Sequence, residues 1–484
     1  MKQPSRRIFG PFNRVEGDLE VQIEEHDGRV SRAWVNSPLY RGFEQMLVGK
    51  NPQDALVYTP RICGICSVSQ SVAASRALAD LQGVGYTDNG RLATNLILAC
   101  ENMADHLSHF YLFFMPDFAR EVYQKEPWFE TIHRRFAAQR GSASRDALPA
   151  RSQFLQLTGL LAGRWPHSLA LQPGGTTCAI DARERIKLIT LLGSFRQFLQ
   201  NTLFGAPLEQ VAELHNSDAL WAWAEQHPQS DFGQFLMLCK RLDLEQLGRA
   251  NDRFLSYGAY ETAPQTNLFQ AGVWHSKPQP FDSKAISEDI KHSWMHAQRS
   301  PKHPYQGSTE PDADAANAYS WCKAPRYDGH VMEVGALARQ LLDRQPMING
   351  LVKESGGNVQ NRVVARLLEL ARVLPEMERW AKNIRIDEAF IQQAKMPDEG
   401  EGYGLVEAAR GSLGHWIRVK HGHIINYQII APTTWNFSPR DEKEQPGALE
   451  QALVGTPLSD DNRTSVAVQH VVRSFDPCMV CTVH

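Results

Sequence analysis

The chain has 484 residues, 42% of them apolar, enough to bury a large core. Its 51 basic and 54 acidic residues nearly cancel, which argues against nucleic acid or an anionic lipid surface as partner. No apolar run approaches the roughly 18 residues of a spanning helix, so direct membrane insertion is not expected.

The opening Met-Lys-Gln-Pro-Ser-Arg-Arg holds two arginines with no apolar stretch after them. No export signal is read there, and the cytoplasm is the expected compartment. Leu19, Val21 and Ile23 alternate with polar residues, Asp27-Gly28 offers a tight turn, and Val30 to Val35 completes a hairpin pattern. Asn51-Pro52 reads as an N-cap and first-turn proline of a helix leading towards Cys63. Ser67 to Leu81 is rich in Ala, Ser and Leu at helical spacing.

From Asn89 to Met115, Leu92, Leu96, Ala99, Met103, Leu107, Phe110 and Phe114 recur every three or four residues, predicting one long helix. A second long helix is expected from Asp181, where Glu184 completes a capping box, to about Phe204. A third runs from about Val359 to Ile384, kinked at Pro375. Three such helices predict a bundle as the structural centre. Between about Pro264 and Asn317 the chain is rich in Pro, His, Ser, Asp and Lys and loses periodicity, which predicts an irregular sheet-and-loop surface excursion. Trp416 to Ile430 predicts another hairpin, turning at His421-Gly422. The expected fold class is α+β, mainly α, with a long-helix core and peripheral hairpins, in one domain spanning residues 1–484.

Eight cysteines are present, four of them in two close pairs, Cys63/Cys66 and Cys478/Cys481. The lone Cys100, Cys178, Cys239 and Cys322 read as small buried apolar residues. Each pair has Cys-x-x-Cys spacing, and an imidazole, His484, follows the second pair by three positions. Paired Cys-x-x-Cys motifs build four-thiolate zinc sites or iron–sulfur clusters. Here the second pair begins 415 residues after the first. Loop-closure cost grows only logarithmically, so one shared site remains feasible. Two unrelated pairs and a redox disulfide are the other readings.

The surroundings narrow this. Arg14-Val15-Glu16-Gly17-Asp18, Arg41-Gly42-Phe43-Glu44 and Arg61-Ile62-Cys63-Gly64-Ile65-Cys66 come in order near the front. Pro173-Gly174-Gly175, Pro325-Arg326-Tyr327, Ala409-Arg410-Gly411-Ser412-Leu413-Gly414-His415-Trp416 and Pro432-Thr433-Thr434-Trp435-Asn436 follow, and Asp476-Pro477-Cys478 closes the series. This ordered set resembles, from end to end, the large catalytic subunit of nickel–iron hydrogenases.

The resemblance implies a buried site where both chain ends meet, with Cys63, Cys66, Cys478 and Cys481 as nickel ligands. Cys66 and Cys481 would also bridge to an iron carrying one carbonyl and two cyanides. The implied activity is heterolytic splitting of H2 into protons and electrons. Glu16 matches the carboxylate that lies against Cys478 and starts the proton path; read alone, it would answer Arg14 on a hairpin edge. Arg410 matches the arginine over the metals that hydrogen-bonds one cyanide, and Thr433 the hydroxyl that bonds the other. Asp105 and Asp476 match carboxylates that position Arg410; alone, Asp105 is an N–H acceptor within a bundle. Glu44 and His484, with a backbone carbonyl such as that of Ile429, match the ligands of a magnesium or iron(II) ion near the C-terminus. Without the family, His484 reads as a frayed tail.

The resemblance also implies an iron–sulfur small subunit, since no cysteines remain for an electron chain. Three positions depart from the usual pattern: Gln70 for a histidine, Ala409 for a proline and Asp18 for a histidine. Gln70, in Ser67-Val68-Ser69-Gln70, is similar to the regulatory, hydrogen-sensing branch, which implies low turnover, a signalling kinase and a higher oligomer. A chain ending at His484 fits a sensor encoded without the C-terminal extension of energy-converting members, and equally a processed chain. The alternatives are an uptake hydrogenase, a metal-free subunit of this fold as in respiratory complex I, which the four cysteines disfavour, and a structural zinc protein.

Overall fold

The computed structural model describes residues 5–458 and 465–484. Strands Ser5–Phe9, Glu20–His26 and Arg29–Asn36 form an antiparallel sheet in sequence order. The expected hairpin is its second half, with Val21 opposite Val35 and Ile23 opposite Ala33, all four buried. Alternation thus buries one face, as a period of two requires.

After Asn51 the chain makes short turns rather than one helix: Pro52–Asp54, Ala55–Tyr58 and Thr59–Arg61. The Asn51 side chain does cap the first, accepting from the Gln53 N–H at 3.0 Å. Prolines at positions 52 and 60 each reset the backbone, so no turn propagates far. The Ser67–Gln82 helix then begins directly at Cys66.

The long central helix is shorter than its apolar pattern suggests. It is α-helical over Asp88–Ser108, widens into a π-helical turn at His109–Phe114 and tightens into a 3-10 turn at Met115–Ala119. Apolar spacing continues through all three segments because burial does, and periodicity alone does not distinguish them. The Ala182–Phe198 helix carries the expected Asp181/Glu184 capping box and likewise passes into a π turn, Leu199–Phe204. Val359–Asn383 is one helix with Pro375 inside it, and it packs against both other long helices. The bundle is therefore the structural centre.

The C-terminal sheet has three strands, Gly400–Ala408, Gly411–Lys420 and His423–Ile430. The expected hairpin is present, but the first strand was hidden by glycines at 400, 402 and 404, a composition depleted in strands. Those glycines admit the Ser67–Gln82 helix: a Cβ on Gly404 would stand 1.9 Å from the Ala73 carbonyl oxygen. The small residues of the helix and the bare strand make one close contact.

The stretch from Pro264 to Asn317 contains strands Thr266–Phe269, Gly272–His275, Lys277–Gln279 and Ile286–Asp289, followed by irregular chain. It is not merely a surface excursion. Met295 and Thr309 are buried and line a cavity with Glu44 and His484.

Candidate metal centre

The four paired cysteines lie within the main buried apolar cluster, and their sulfurs all stand within 4.8 Å of one another. Cys63 Sγ is 3.5 Å from Cys478 Sγ, and Cys66 Sγ and Cys478 Sγ are each 3.0 Å from Cys481 Sγ. These separations exceed a disulfide bond, and all eight cysteines are free. The reading of two unrelated pairs therefore fails, because all four sulfurs share one site. Three of the lone cysteines are buried as expected, but Cys178 is only partly so.

Local structure brings the pairs together. Cys66 ends the loop that opens the Ser67–Gln82 helix, and Cys63 Sγ accepts from the Ile65 N–H at 3.3 Å. At the other end, the Val466–Ser474 helix stops and Asp476 adopts a left-handed backbone, φ 57°. Aspartate tolerates that region better than most residues, and it turns the chain inwards. Cys478 then runs parallel to Glu16 in a single β-bridge, and the Met479 N–H donates to the Glu16 carbonyl at 2.7 Å.

Arg410 reaches over this junction fully buried. Its Nη1 donates to Asp105 Oδ2, its Nη2 to Asp476 Oδ1 at 3.1 Å and its Nε to the Asp476 carbonyl at 2.9 Å. Burial opposes its charge, but the two carboxylates outweigh that and hold the guanidinium cationic. Gly411 lets the turn close: a Cβ there would sit 2.7 Å from the Gly335 nitrogen. Beneath the turn, Arg339 donates to the carbonyls of Ala408 at 2.8 Å and Ala409 at 3.1 Å while pairing with Glu369 and Glu407.

Thr433 Oγ1 accepts from the Cys478 N–H at 3.1 Å, so its own proton is left to donate elsewhere. Glu16 does not answer Arg14, whose guanidinium goes to Asp117 and to the Phe113 carbonyl. Burial, then the Cys63 sulfur, raise the Glu16 pKa, with Arg410 pulling the other way. Gln70 Oε1 accepts from His415 Nε2 at 2.8 Å, and His415 Nδ1 stands 2.8 Å from the Tyr427 hydroxyl.

A second buried cluster lies at the C-terminus. His484 is buried, not frayed, and neither ring nitrogen has a hydrogen-bond partner. Burial first, then His415 and Lys323, hold its ring neutral, the form a ligand needs. Glu44 Oε1 accepts from the Ile429 N–H at 2.7 Å, and Oε2 accepts from Thr309 and, at 3.2 Å, from Lys323. Lys323 Nζ also donates to Gln428 Oε1 at 2.6 Å. Lys323, Glu288, Thr309 and Gln428 carry no motif that would have marked them; only the fold brings them to the cavity.

The profile of the nickel-dependent hydrogenase family matches residues 41–124 and 145–484. The chain belongs to the nickel-dependent hydrogenase family. Among curated relatives, the large subunit of the periplasmic [NiFeSe] hydrogenase of Desulfomicrobium baculatum is 29% identical, covering 98% of this chain and 94% of its own. The hydrogenase-2 large chain of Escherichia coli K12 is 28% identical, over 99% of this chain and 97% of its own. The H2-activated [NiFeSe] hydrogenase structure from Dm. baculatum superposes with a TM-score of 0.86 at 28% identity, covering 100% of both chains. That of the oxidised enzyme from D. vulgaris Hildenborough gives 0.85 at 29%.

The donor set of this hydrogenase fits the family's metals. Four buried sulfurs with no hard oxygen among them suit nickel and low-spin iron better than magnesium or calcium. Burial raises the Cys478 and Cys481 thiols while hydrogen bonds from the other three sulfurs lower Cys63, so a cation is what would make all four thiolates at once. The C-terminal cavity has the opposite chemistry, a carboxylate and an unpartnered imidazole. That set fits a hard or borderline divalent ion.

Proposed function

We propose that this chain is the catalytic large subunit of a hydrogen-sensing nickel–iron hydrogenase. The observation that carries the hydrogenase chemistry is the convergence of Cys63, Cys66, Cys478 and Cys481 under a charge-paired Arg410. When bound, the nickel–iron centre, with one carbonyl and two cyanides on iron, supplies the electrophilic site that polarises H2. Cys63, Cys66, Cys478 and Cys481 would hold it.

The residues around it divide the remaining work. Cys478 Sγ takes the proton released from H2, and the Glu16 carboxylate accepts it next. Glu16 suits this role because its segment is bonded to the Cys478 strand and its pKa is raised by burial and by the Cys63 sulfur. Arg410, kept cationic by Asp105 and Asp476, places fixed positive charge and N–H donors over the site. The Thr433 hydroxyl, free to donate, suits the second cyanide. Glu44, His484 and the Ile429 carbonyl would hold magnesium or iron(II); Glu44 Oε2 would then exchange its lysine contact for the ion.

Electrons leave through an iron–sulfur small subunit. Gly64 is exposed and Ile65 and Val480 are half-buried, so the sulfurs come close to the surface on one side. Exposed Met46 and Val57, in short helices that approach this loop, suit a protein cover there. The sensor assignment, with low turnover, a signalling kinase and a higher oligomer, is supported by Gln70, which replaces a titratable ring with an amide. We read residues 1–484 as one domain and its compartment as the cytoplasm; no helix among the described residues is long and apolar enough to cross a membrane. An uptake hydrogenase is the competing role.

An infrared spectrum of the purified protein tests the chemistry, because one carbonyl and two cyanide bands have no other protein source. Zinc without nickel, and no such bands, would overturn it. A kinase whose autophosphorylation responds to H2 only when this chain is present would establish the sensor role. H2-dependent respiration without such a response would establish the uptake role.

A further inference from the structure

The segment that carries Glu16 has little regular structure of its own. It links strands Ser5–Phe9 and Glu20–His26, and Arg14 lies at φ 54°, a region side-chain-bearing residues rarely adopt. Such a backbone persists only where its surroundings over-determine it. Here the surroundings converge on one fully buried carboxylate, Asp117, in the 3-10 turn Met115–Ala119.

Asp117 Oδ1 accepts from Arg14 Nη2, two residues before Glu16. Its Oδ2 accepts from Arg473 Nη1 at 2.6 Å, in the last turn of the helix that delivers Cys478. Arg473 closes the loop, with Nη2 donating to the Asn13 carbonyl at 2.7 Å and to Asn13 Oδ1 at 2.8 Å. The Arg473 carbonyl in turn accepts from His109 Nε2 at 2.7 Å, in the π turn of the central helix. Arg120 and the His470 ring lie further off, at 3.8 and 3.9 Å. Burial works against the Asp117 charge, but Arg473, Arg14 and His470 outweigh it and keep the carboxyl below its ordinary value.

We propose that Asp117 is the positioning residue that sets Glu16 against Cys478, by clamping together the two segments that carry them. The proposal rests on Glu16 being the proton acceptor of Cys478. A proton relay works only within about 2.6–3.2 Å, and a displacement near 1 Å costs on the order of 10²-fold. Asp117 touches neither reacting group; it acts through Arg14 and Arg473.

The test compares Asp117→Asn, Glu16→Gln and the double variant in the metal-loaded full chain with its small subunit. Each is read for nickel content, H2/D2 exchange and amide exchange of peptides spanning residues 11–19 and 469–481. Asn keeps the shape but removes the charge that holds both arginines. Asp117→Asn should keep its nickel, lose about 10- to 100-fold in H2/D2 exchange and show faster amide exchange in those two peptides alone. The double variant should be no slower than Glu16→Gln, because both act on one step.

Normal H2/D2 exchange in Asp117→Asn beside an impaired Glu16→Gln would overturn the clamp and leave the Glu16 reading standing. Normal exchange in Glu16→Gln would overturn that reading and the clamp with it. Additive losses in the double variant would place Asp117 on another step and overturn the proposal. If Asp117→Asn fails to load nickel, Arg14→Gln, which removes only the half-buried arm, carries the same comparison. Normal H2/D2 exchange in Arg14→Gln would then be the overturning result.

Discussion

Two buried clusters are built where the C-terminus meets distant parts of the chain, and they differ in what they leave unpaired. Around the four sulfurs the guanidinium of Arg410 is answered by Asp105 and Asp476. What remains facing the centre is soft sulfur. In the C-terminal cavity Lys323 is shared by Glu44, Gln428 and, at 3.6 Å, Glu288, yet neither ring nitrogen of His484 has a hydrogen bond. Burying polar groups without partners costs free energy, about 1–3 kcal/mol each. The first cluster therefore offers soft sulfur, and the second an imidazole left without a partner beside a carboxylate.

The sharpest separation of the two is by elemental analysis. Replacing any of Cys63, Cys66, Cys478 or Cys481 with Ala should abolish nickel retention, since three sulfurs cannot complete the site. Full nickel occupancy in one of these variants would defeat the four-thiolate centre. Next in size is Glu16→Gln, which keeps shape but cannot carry a proton at working pH. Nickel and the infrared bands should stay, while H2/D2 exchange and H2-dependent dye reduction fall by roughly 10² to 10⁴-fold. Loss of nickel in that variant would make Glu16 structural instead.

A smaller effect is expected at the other cluster. His484→Ala should keep nickel but lose the second ion, measured as magnesium or non-cluster iron. Its melting temperature should then stop responding to chelators; an ion present at 100 times its dissociation constant stabilises by about 2.7 kcal/mol. An unchanged content of that ion would remove His484 from the ligand set. Smallest of all is Cys239→Ala, a buried lone cysteine. It should cost packing alone, a few kcal/mol at most in a thermal melt, with nickel content unchanged; nickel loss there would mean the lone cysteines are not bystanders.

The paired cysteines, the capping box at Asp181 and the hairpins at Asp27-Gly28 and His421-Gly422 were legible because each rests on neighbours in sequence. The strand Gly400–Ala408 was not, because its glycines serve a helix more than 300 residues away. The break at His109 was equally hidden, since apolar spacing runs unchanged through an α-to-π transition. Lys323 and Asp117 were missed for a related reason. A lone lysine or aspartate carries no pattern, and its meaning is set by whichever charges the fold brings to it.

By itself, then, the order of residues determined the ligand types, their Cys-x-x-Cys spacing and the family whose chemistry they serve. Those are local facts, written in residue identity and short-range geometry. Only the tertiary structure decided that Arg14 turns away from Glu16 to Asp117, and that Lys323, Thr309 and Gln428 close around Glu44 beside the buried His484. Buried charges must find partners wherever the chain can bring them, and across several hundred residues that choice is made by packing and electrostatics together.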